Sequence, residues 1–247
     1  MKKLVALVTG SSRGIGRATI LEFAKAGLNV VINYYQHEEE ALELQKYITN
    51  NYDVLCMTVK CDVAKEEEVE AMVNKIVDRF GSIDVLVNNA SVCYDNLFMD
   101  KSLLEFKRII DVNLIGTYLC SKYVGRVMLE RQFGKIVNVA STNGIDTYYP
   151  ESCDYDASKA GVISLTHNMA REFAPNVSVN CVCPGWVNTD MSKDLSIEQA
   201  DNEKKNILIG RFAEPEEIAK VICFLVSPDA SYINDSIIRV DGGKYNG

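Results

Sequence analysis

The chain has 247 residues, 47% of them hydrophobic, enough for a large core in a single α/β domain. Its formal net charge of -8 excludes the clustered basic surface that a nucleic acid needs, and no segment approaches the roughly 18 apolar residues that span a bilayer. The opening MKKLVALVTG sets two lysines before the short apolar run LVALV, too short for a secretory leader, so the expectation is a cytoplasmic protein.

KLVALVT reads as the first strand. TGSSRGIG, residues 9–16, follows it directly and leads into an apolar helix ending near Ala26. Gly10, Gly14 and Gly16 permit a tight turn, close backbone approach to a pyrophosphate and close packing of helix on strand, while the helix start offers free N–H groups. The spacing is GxxxGxG, and an ordinary turn is the alternative reading of such a loop. Ser12, Arg13 and Ile15 complete it. NVVINYY is the second strand. Its end, Asn33, Tyr34 and Tyr35, carries no acid to hold ribose hydroxyls, and Arg13 can answer a 2′-phosphate, so the reading is NADP(H) over NAD(H). A solvated loop cation is the alternative for Arg13. Glu38, Glu39 and Glu40 read as the first turn of the next helix.

DVLCMTVK and IDVLVNN supply the third and fourth strands, and GKIVNVAS, SVNCVCP and SIIRVDGG three more, with helices between them, the later ones near 102–130, 153–173 and 215–226. This alternation predicts a doubly wound, seven-stranded parallel sheet in a Rossmann-type three-layer sandwich, one domain over 1–247, with ligands beyond the carboxyl ends of the strands. The polar stretch from Trp186 to Arg211 lacks strand character and reads as a substrate flap over about 187–211. Eight cysteines and two histidines without a CxxC read as reduced core thiols, and no metal site is expected.

Tyr155 and Lys159 lie four residues apart in DYDASKAGV, on one face of a helix. On that spacing alone, an exposed tyrosine packed on a lysine stem is the favoured reading.

Taken together, TGSSRGIG, Asp62 in CDV, NNA at 88–90, Asn113 in VNLIGT, Ser141 after VNVA, YDASK at 155–159, PGWVNTDM at 184–191 and the terminal VDGG occur in the order in which they stand in the short-chain dehydrogenase/reductases. The chain resembles that family over essentially its whole length. Within it, IGRFAEPEEIAKVICFLVSPDASYI looks most like the 3-oxoacyl-[acyl-carrier-protein] reductases.

The resemblance implies a catalytic set. Tyr155 is the proton donor to a carbonyl oxygen, made more acidic by Lys159, which also holds the cofactor ribose. Ser141 donates to the substrate oxygen, and Asn113 corresponds to the family asparagine that holds a water in a proton relay. For the cofactor it implies Asn89, Ala90 and Ser91 beside the adenine-side ribose, Asp62 and Val63 at the adenine pocket, and Pro184, Gly185, Val187 and Thr189 near the nicotinamide. A homotetramer is the assembly expected from the family.

The match departs from the family in two places. Ser91 stands where NNAG has glycine, and STNGIDTYYPESCDY lacks the glycine-rich run of the carrier-protein reductases, with Tyr148, Tyr149 and Pro150 available for an aromatic wall. An NADPH-dependent reductase of 3-oxoacyl thioesters, with acyl carrier protein as the carrier, is the first reading. The second is the same chemistry on a sugar, polyol, steroid or other small carbonyl, and the third a catalytically silent dinucleotide-binding protein.

Overall fold

The computed structural model describes residues 3–193 and 195–243, so residue 194 of the expected flap and residues 1, 2 and 244–247 of the expected domain lie outside it. Seven parallel strands form one sheet: β1 (Val5–Val8), β2 (Asn29–Tyr34), β3 (Cys56–Lys60), β4 (Val85–Asn88), β5 (Gly134–Val139), β6 (Val177–Pro184) and β7 (Ile237–Val240). Their spatial order is β3-β2-β1-β4-β5-β6-β7. The chain winds outward from β1 in both directions, so the switch in order falls between β1 and β4, where the connections diverge and leave a crevice.

Burial explains the composition of the central strands. In β1, Val5 and Leu7 enter one core while Ala6 and Val8 enter the other, because successive side chains of a strand point to opposite faces. The first core is closed by α3 (Glu66–Phe80), α5 (Gly116–Glu130) and α6 (Cys153–Glu172). The second is closed by α1 (Gly14–Lys25), α2 (Glu38–Asn51) and α8 (Pro215–Val226). Ile218, Ile222 and Leu225 seat α8 on the sheet, each contributing roughly 1.5–3 kcal/mol of burial.

Local chemistry sets the helix ends. Glu38–Glu40 and Glu66–Glu68 occupy the first turns of α2 and α3, where carboxylates meet the positive end of the helix dipole. Gly81 ends α3 with φ 76°, and its N–H bonds to the Val77 carbonyl. The helical stretch expected near 102–130 is three segments: α4 (Leu103–Ile109), a π-helical turn over Ile110–Ile115, and α5. The extra residue in that turn shifts Asn113 relative to a regular helix. Beyond β6, a 3₁₀ turn (Asp190–Ser192) and α7 (Ile197–Lys205) make up the flap segment, pinned at one end by a parallel bridge between Val187 and Ala213.

Among the described residues no helix is long and apolar enough to cross a membrane, and no group of three or more His, Cys, Asp or Glu is placed to hold a metal ion.

Candidate active site

The glycine turn lies at the mouth of the crevice. Gly10 and Gly14 have φ of 60° and 56°, in the left-handed region that favours glycine. A Cβ on Gly10 would sit 2.8 Å from the Ala90 Cα, and one on Gly16 would sit 2.6 Å from Asn89 Nδ2 and 2.7 Å from the Gly10 carbonyl. The turn is therefore packed directly on the segment after β4. Asn89 Nδ2 donates to the carbonyls of Thr9 and Gly10 at 2.9 and 3.0 Å, and Thr9 Oγ1 accepts from the N–H groups of Asn89 and Ala90. Arg13 heads α1 without a side-chain cap bond, which leaves the first N–H groups of the helix to an outside acceptor. Uncapped donors above a cradle that any Cβ would fill fit the pyrophosphate of a dinucleotide.

Other expected cofactor residues are turned inward. Asn33 Oδ1 accepts from the Gly10 N–H at 3.0 Å and its amide faces the Val59 and Cys61 carbonyls; Tyr34 is buried with its hydroxyl on Glu38 at 3.0 Å. Asn33 braces the turn and Tyr34 ties β2 to the start of α2, so both side chains already have partners within the protein. Arg13 pairs with Asp190 of the flap segment at 3.1 Å, so its charge is already partnered and is not free beside the end of β2. Ser12 is buried in the turn, Ile15 partly so, and Thr189 touches Gly14 from the flap side. Asp62 pairs through both oxygens with Arg108 at 3.0 and 3.3 Å, and that guanidinium lies over the Tyr35 ring. Val63 fills the space beside Gly116, and the Ser91 hydroxyl is buried without a partner. Pro184 ends β6, Gly185 lies against Asp241, and Val187 bridges Ala213.

The catalytic candidates do come together. α6 carries Tyr155 and Lys159 one turn apart, and the Lys159 ammonium lies 5.3 Å from the centre of the Tyr155 ring. Its Nζ donates to the Val139 carbonyl, the last residue of β5, at 2.9 Å. Burial lowers the Lys159 pKa to about 8. Ser141 follows β5 and its hydroxyl acts on the Tyr155 phenol. The direction of the tyrosine shift differs from expectation: burial, then the neighbouring Cys93, push the phenol up, and the Ser141 hydroxyl only partly offsets them. The ammonium sits over the ring and its hydrogen bond goes to a carbonyl, so on its own it does not outweigh the burial of the phenol. A phenol held high stays protonated at neutral pH, the form a proton donor needs.

Asn113 is buried in the π-helical turn. Its side chain accepts from the Val92 N–H at 2.8 Å and donates to the Val92 carbonyl and the Ser158 hydroxyl at 3.0 and 3.1 Å. This fastens the loop after β4 to α6.

Several contacts near the site carried no sequence signal of their own. Lys101 and Asp154 form a fully buried ion pair at 2.7 Å, tying the loop before α4 to the residue that precedes Tyr155. Tyr149, Trp186 and Glu203 share hydrogen bonds of 2.9–3.2 Å, and Trp186 stacks on Phe212, so α7 is held against the loop after β5. Tyr148 is exposed and Pro150 opens a 3₁₀ turn, so only Tyr149 of the expected aromatic wall joins this cluster. The Cys181 and Cys183 sulfurs are 3.9 Å apart on one face of β6. A cavity of about 520 Å³ lies on the outer face of α6, lined by Asn143, Tyr149, Pro150, Cys153, Asp156 and Ala157 among others. Positions 153, 156 and 157 turn away from Tyr155 and Lys159 on the helix, so this cavity is not the reaction cleft.

Comparison with known proteins agrees with this geometry. A family model described as Enoyl-(Acyl carrier protein) reductase matches residues 10–245. The chain is 41% identical over 242 residues to the 3-oxoacyl-[acyl-carrier-protein] reductase FabG of Aquifex aeolicus (strain VF5), covering 98% of this chain and 97% of that protein. Among solved structures, gox2181 superposes with a TM-score of 0.93 at 30% identity, covering 98% of this chain and 96% of that one. Levodione reductase does so with a TM-score of 0.91 at 30% identity, over 97% and 96%. With a glycine turn at the switch of a seven-stranded parallel sheet and a serine, tyrosine and lysine gathered beside it, the chain belongs to the short-chain dehydrogenase/reductase family of nicotinamide-dependent oxidoreductases.

Proposed function

We propose that the protein is an NADPH-dependent reductase that converts a 3-oxoacyl thioester to the 3-hydroxy product, with acyl carrier protein as the natural carrier. The observation that carries the substrate class is the 41% identity to a 3-oxoacyl-[acyl-carrier-protein] reductase across nearly the whole chain. When bound, the nicotinamide cofactor supplies the hydride, and in its oxidised state a positive charge. The chain's own residues do the rest. Tyr155 donates a proton to the carbonyl oxygen, and Ser141 hydrogen-bonds the same oxygen as negative charge develops on it. Lys159, largely protonated at neutral pH, holds ribose hydroxyls and favours the phenolate left behind. The uncapped start of α1 receives the phosphates, and Asn89 and Ala90, which brace the glycine turn, lie beside the adenine-side ribose.

The absence of an acid at the end of β2 supports NADPH, with Arg13 supplying the cation once it exchanges Asp190 for a 2′-phosphate. A homotetramer is part of the reading, supported by the exposed apolar residues Leu97, Phe98, Met99, Leu103, Leu104 and Tyr118 along α4, α5 and the loop before them. Its test is the mass in solution.

A compact cyclic ketone is the second reading, favoured by the Tyr149–Trp186–Phe212 cluster and by the likeness to levodione reductase. Steady-state assays with acetoacetyl-CoA and a cyclic ketone, each with NADPH and NADH, decide between the two. Turnover of acetoacetyl-CoA with NADPH preferred is the expected result. Turnover of the cyclic ketone alone replaces the substrate assignment, and preference for NADH replaces the cofactor assignment.

A further inference from the structure

We infer that Asp156 and Asn143 are positioning residues for Ser141, a device by which α6 holds both the proton donor and the strand-end serine in one frame. The inference rests on the functional reading above, in which the Ser141 hydroxyl hydrogen-bonds the substrate oxygen.

Ser141 lies just past β5 in an extended conformation, φ -165°, and nothing in that backbone selects one side-chain rotamer. Asn143 selects it. The Asn143 N–H donates to Ser141 Oγ at 3.2 Å and holds the oxygen in place; in the free enzyme the Ser141 hydroxyl donates to Asn143 Oδ1 at the same distance, which keeps its one proton on the cleft side until a substrate oxygen takes it over. An asparagine amide can be turned either way, and only one orientation offers oxygen to the serine. Asp156 imposes that orientation, because its Oδ1 accepts from Asn143 Nδ2 at 2.7 Å and a carboxylate cannot donate in return. The Ser152 hydroxyl donates to the same oxygen at 2.8 Å and fixes the carboxylate. Asp156 is 9% exposed, so water competes weakly for these bonds.

The placement gives the network its consequence. Asp156 follows Tyr155 in the chain but points about 100° away around the helix. Tyr155 thus faces the reaction cleft while Asp156 faces the loop after β5 and reaches back through Asn143 to the serine. A shift of α6 moves the two ends of the acid–serine pair together. Neither Asn143 nor Asp156 reaches the reacting oxygen, so their effect passes through Ser141 alone.

The test uses the full-length enzyme with NADPH and acetoacetyl-CoA, comparing Asp156→Ala, Asp156→Asn, Asn143→Ala and Ser141→Ala. Asp156→Ala and Asn143→Ala are expected to lower kcat by on the order of 10-fold with little change in KM, and the double variant to lose no more than either alone. Asp156→Asn, which keeps an acceptor for Asn143, is expected to recover most of the loss. On the Ser141→Ala background, Asp156→Ala is expected to have no further effect. Equal losses in Asp156→Ala and Asp156→Asn, a change confined to KM, or a further loss on the Ser141→Ala background overturns the proposal. If acetoacetyl-CoA is not a substrate, the functional reading fails and the same ratios are read on the cyclic ketone. Crystal structures of the wild type and Asp156→Ala give a readout independent of substrate: a Ser141 rotamer unchanged in the variant overturns the positioning role.

Discussion

The Lys159 ammonium faces the Tyr155 ring, 5.3 Å from its centre, and its hydrogen bond goes to the Val139 carbonyl at 2.9 Å. The pair that i, i+4 spacing places side by side on a helix is thus divided between two tasks, one side chain tied to the sheet and the other to the cleft. Tyr155→Phe keeps that packing and removes only the transferable proton. The expected result is a loss of turnover of about 10²–10⁴-fold, with the dissociation constant for NADPH, measured by fluorescence titration, within about threefold of wild type.

The buried lysine also makes stability depend on pH. Its folded pKa is about 8, below the 10.5 of the free side chain, so between those values the unfolded chain binds a proton that the folded chain does not. Stability from this group therefore rises with pH from about 8 to about 10.5 and carries its full penalty below 8. Lys159→Met removes the penalty and loses the bond to the Val139 carbonyl. The variant is expected to be inactive, more stable than wild type by on the order of 1–2 kcal/mol at pH 7, and less stable near pH 10.5. Urea denaturation at the two pH values checks the crossover; a difference independent of pH contradicts the assignment.

Arg13 is held by Asp190 across the mouth of the glycine turn. If it serves a 2′-phosphate, Arg13→Ala should weaken NADPH binding by about 10-fold and leave NADH binding within about twofold. Calorimetric titration with both cofactors measures this directly. Equal losses for the two would mean that Arg13 acts by holding the flap segment through Asp190.

Gly16 has no room for a methyl group, because its Cβ would fall 2.7 Å from both the Gly10 carbonyl and the Ser11 Cα. Backbone on both sides cannot yield as a flexible side chain would. Gly16→Ala is expected to cost about 1–3 kcal/mol of stability and to weaken cofactor binding at least about 10-fold, since the turn must open to admit it. Denaturation and fluorescence titration check the two effects separately.

The side chains of Lys101 and Asp154 are 3% and 0% exposed, and the second oxygen of Asp154 already lacks a partner. Lys101→Met leaves a buried carboxylate unpaired beside Tyr155, and a loss of about 3–5 kcal/mol is expected at neutral pH. Lys101→Met/Asp154→Leu should recover much of it, because the cost lies in the stranded charge. A double variant as unstable as the single one would show that the pair is held for its hydrogen bonds and not its charges.

Much of this protein was legible in the order of its residues. Apolar runs such as VALV and VLVN specify buried strands, the acidic first turns of α2 and α3 mark helix starts, and the glycines after the first strand specify the tight turn that leads into α1. The i, i+4 spacing of Tyr155 and Lys159 places them together on any helix. Each of these follows from backbone sterics and hydrophobic period, which act between near neighbours in the chain. Tertiary structure alone decided who meets whom. Arg13 finds Asp190 across 177 positions, Lys101 finds Asp154 across 53, and Tyr149 and Trp186 find Glu203, all through the packing of loops at the carboxyl ends of the strands. It also decided the sign of the Tyr155 shift, because burial and the direction of the Lys159 ammonium are properties of the packed site. Short-range geometry can place an acid beside a cation; only the folded environment sets how strongly either holds its proton.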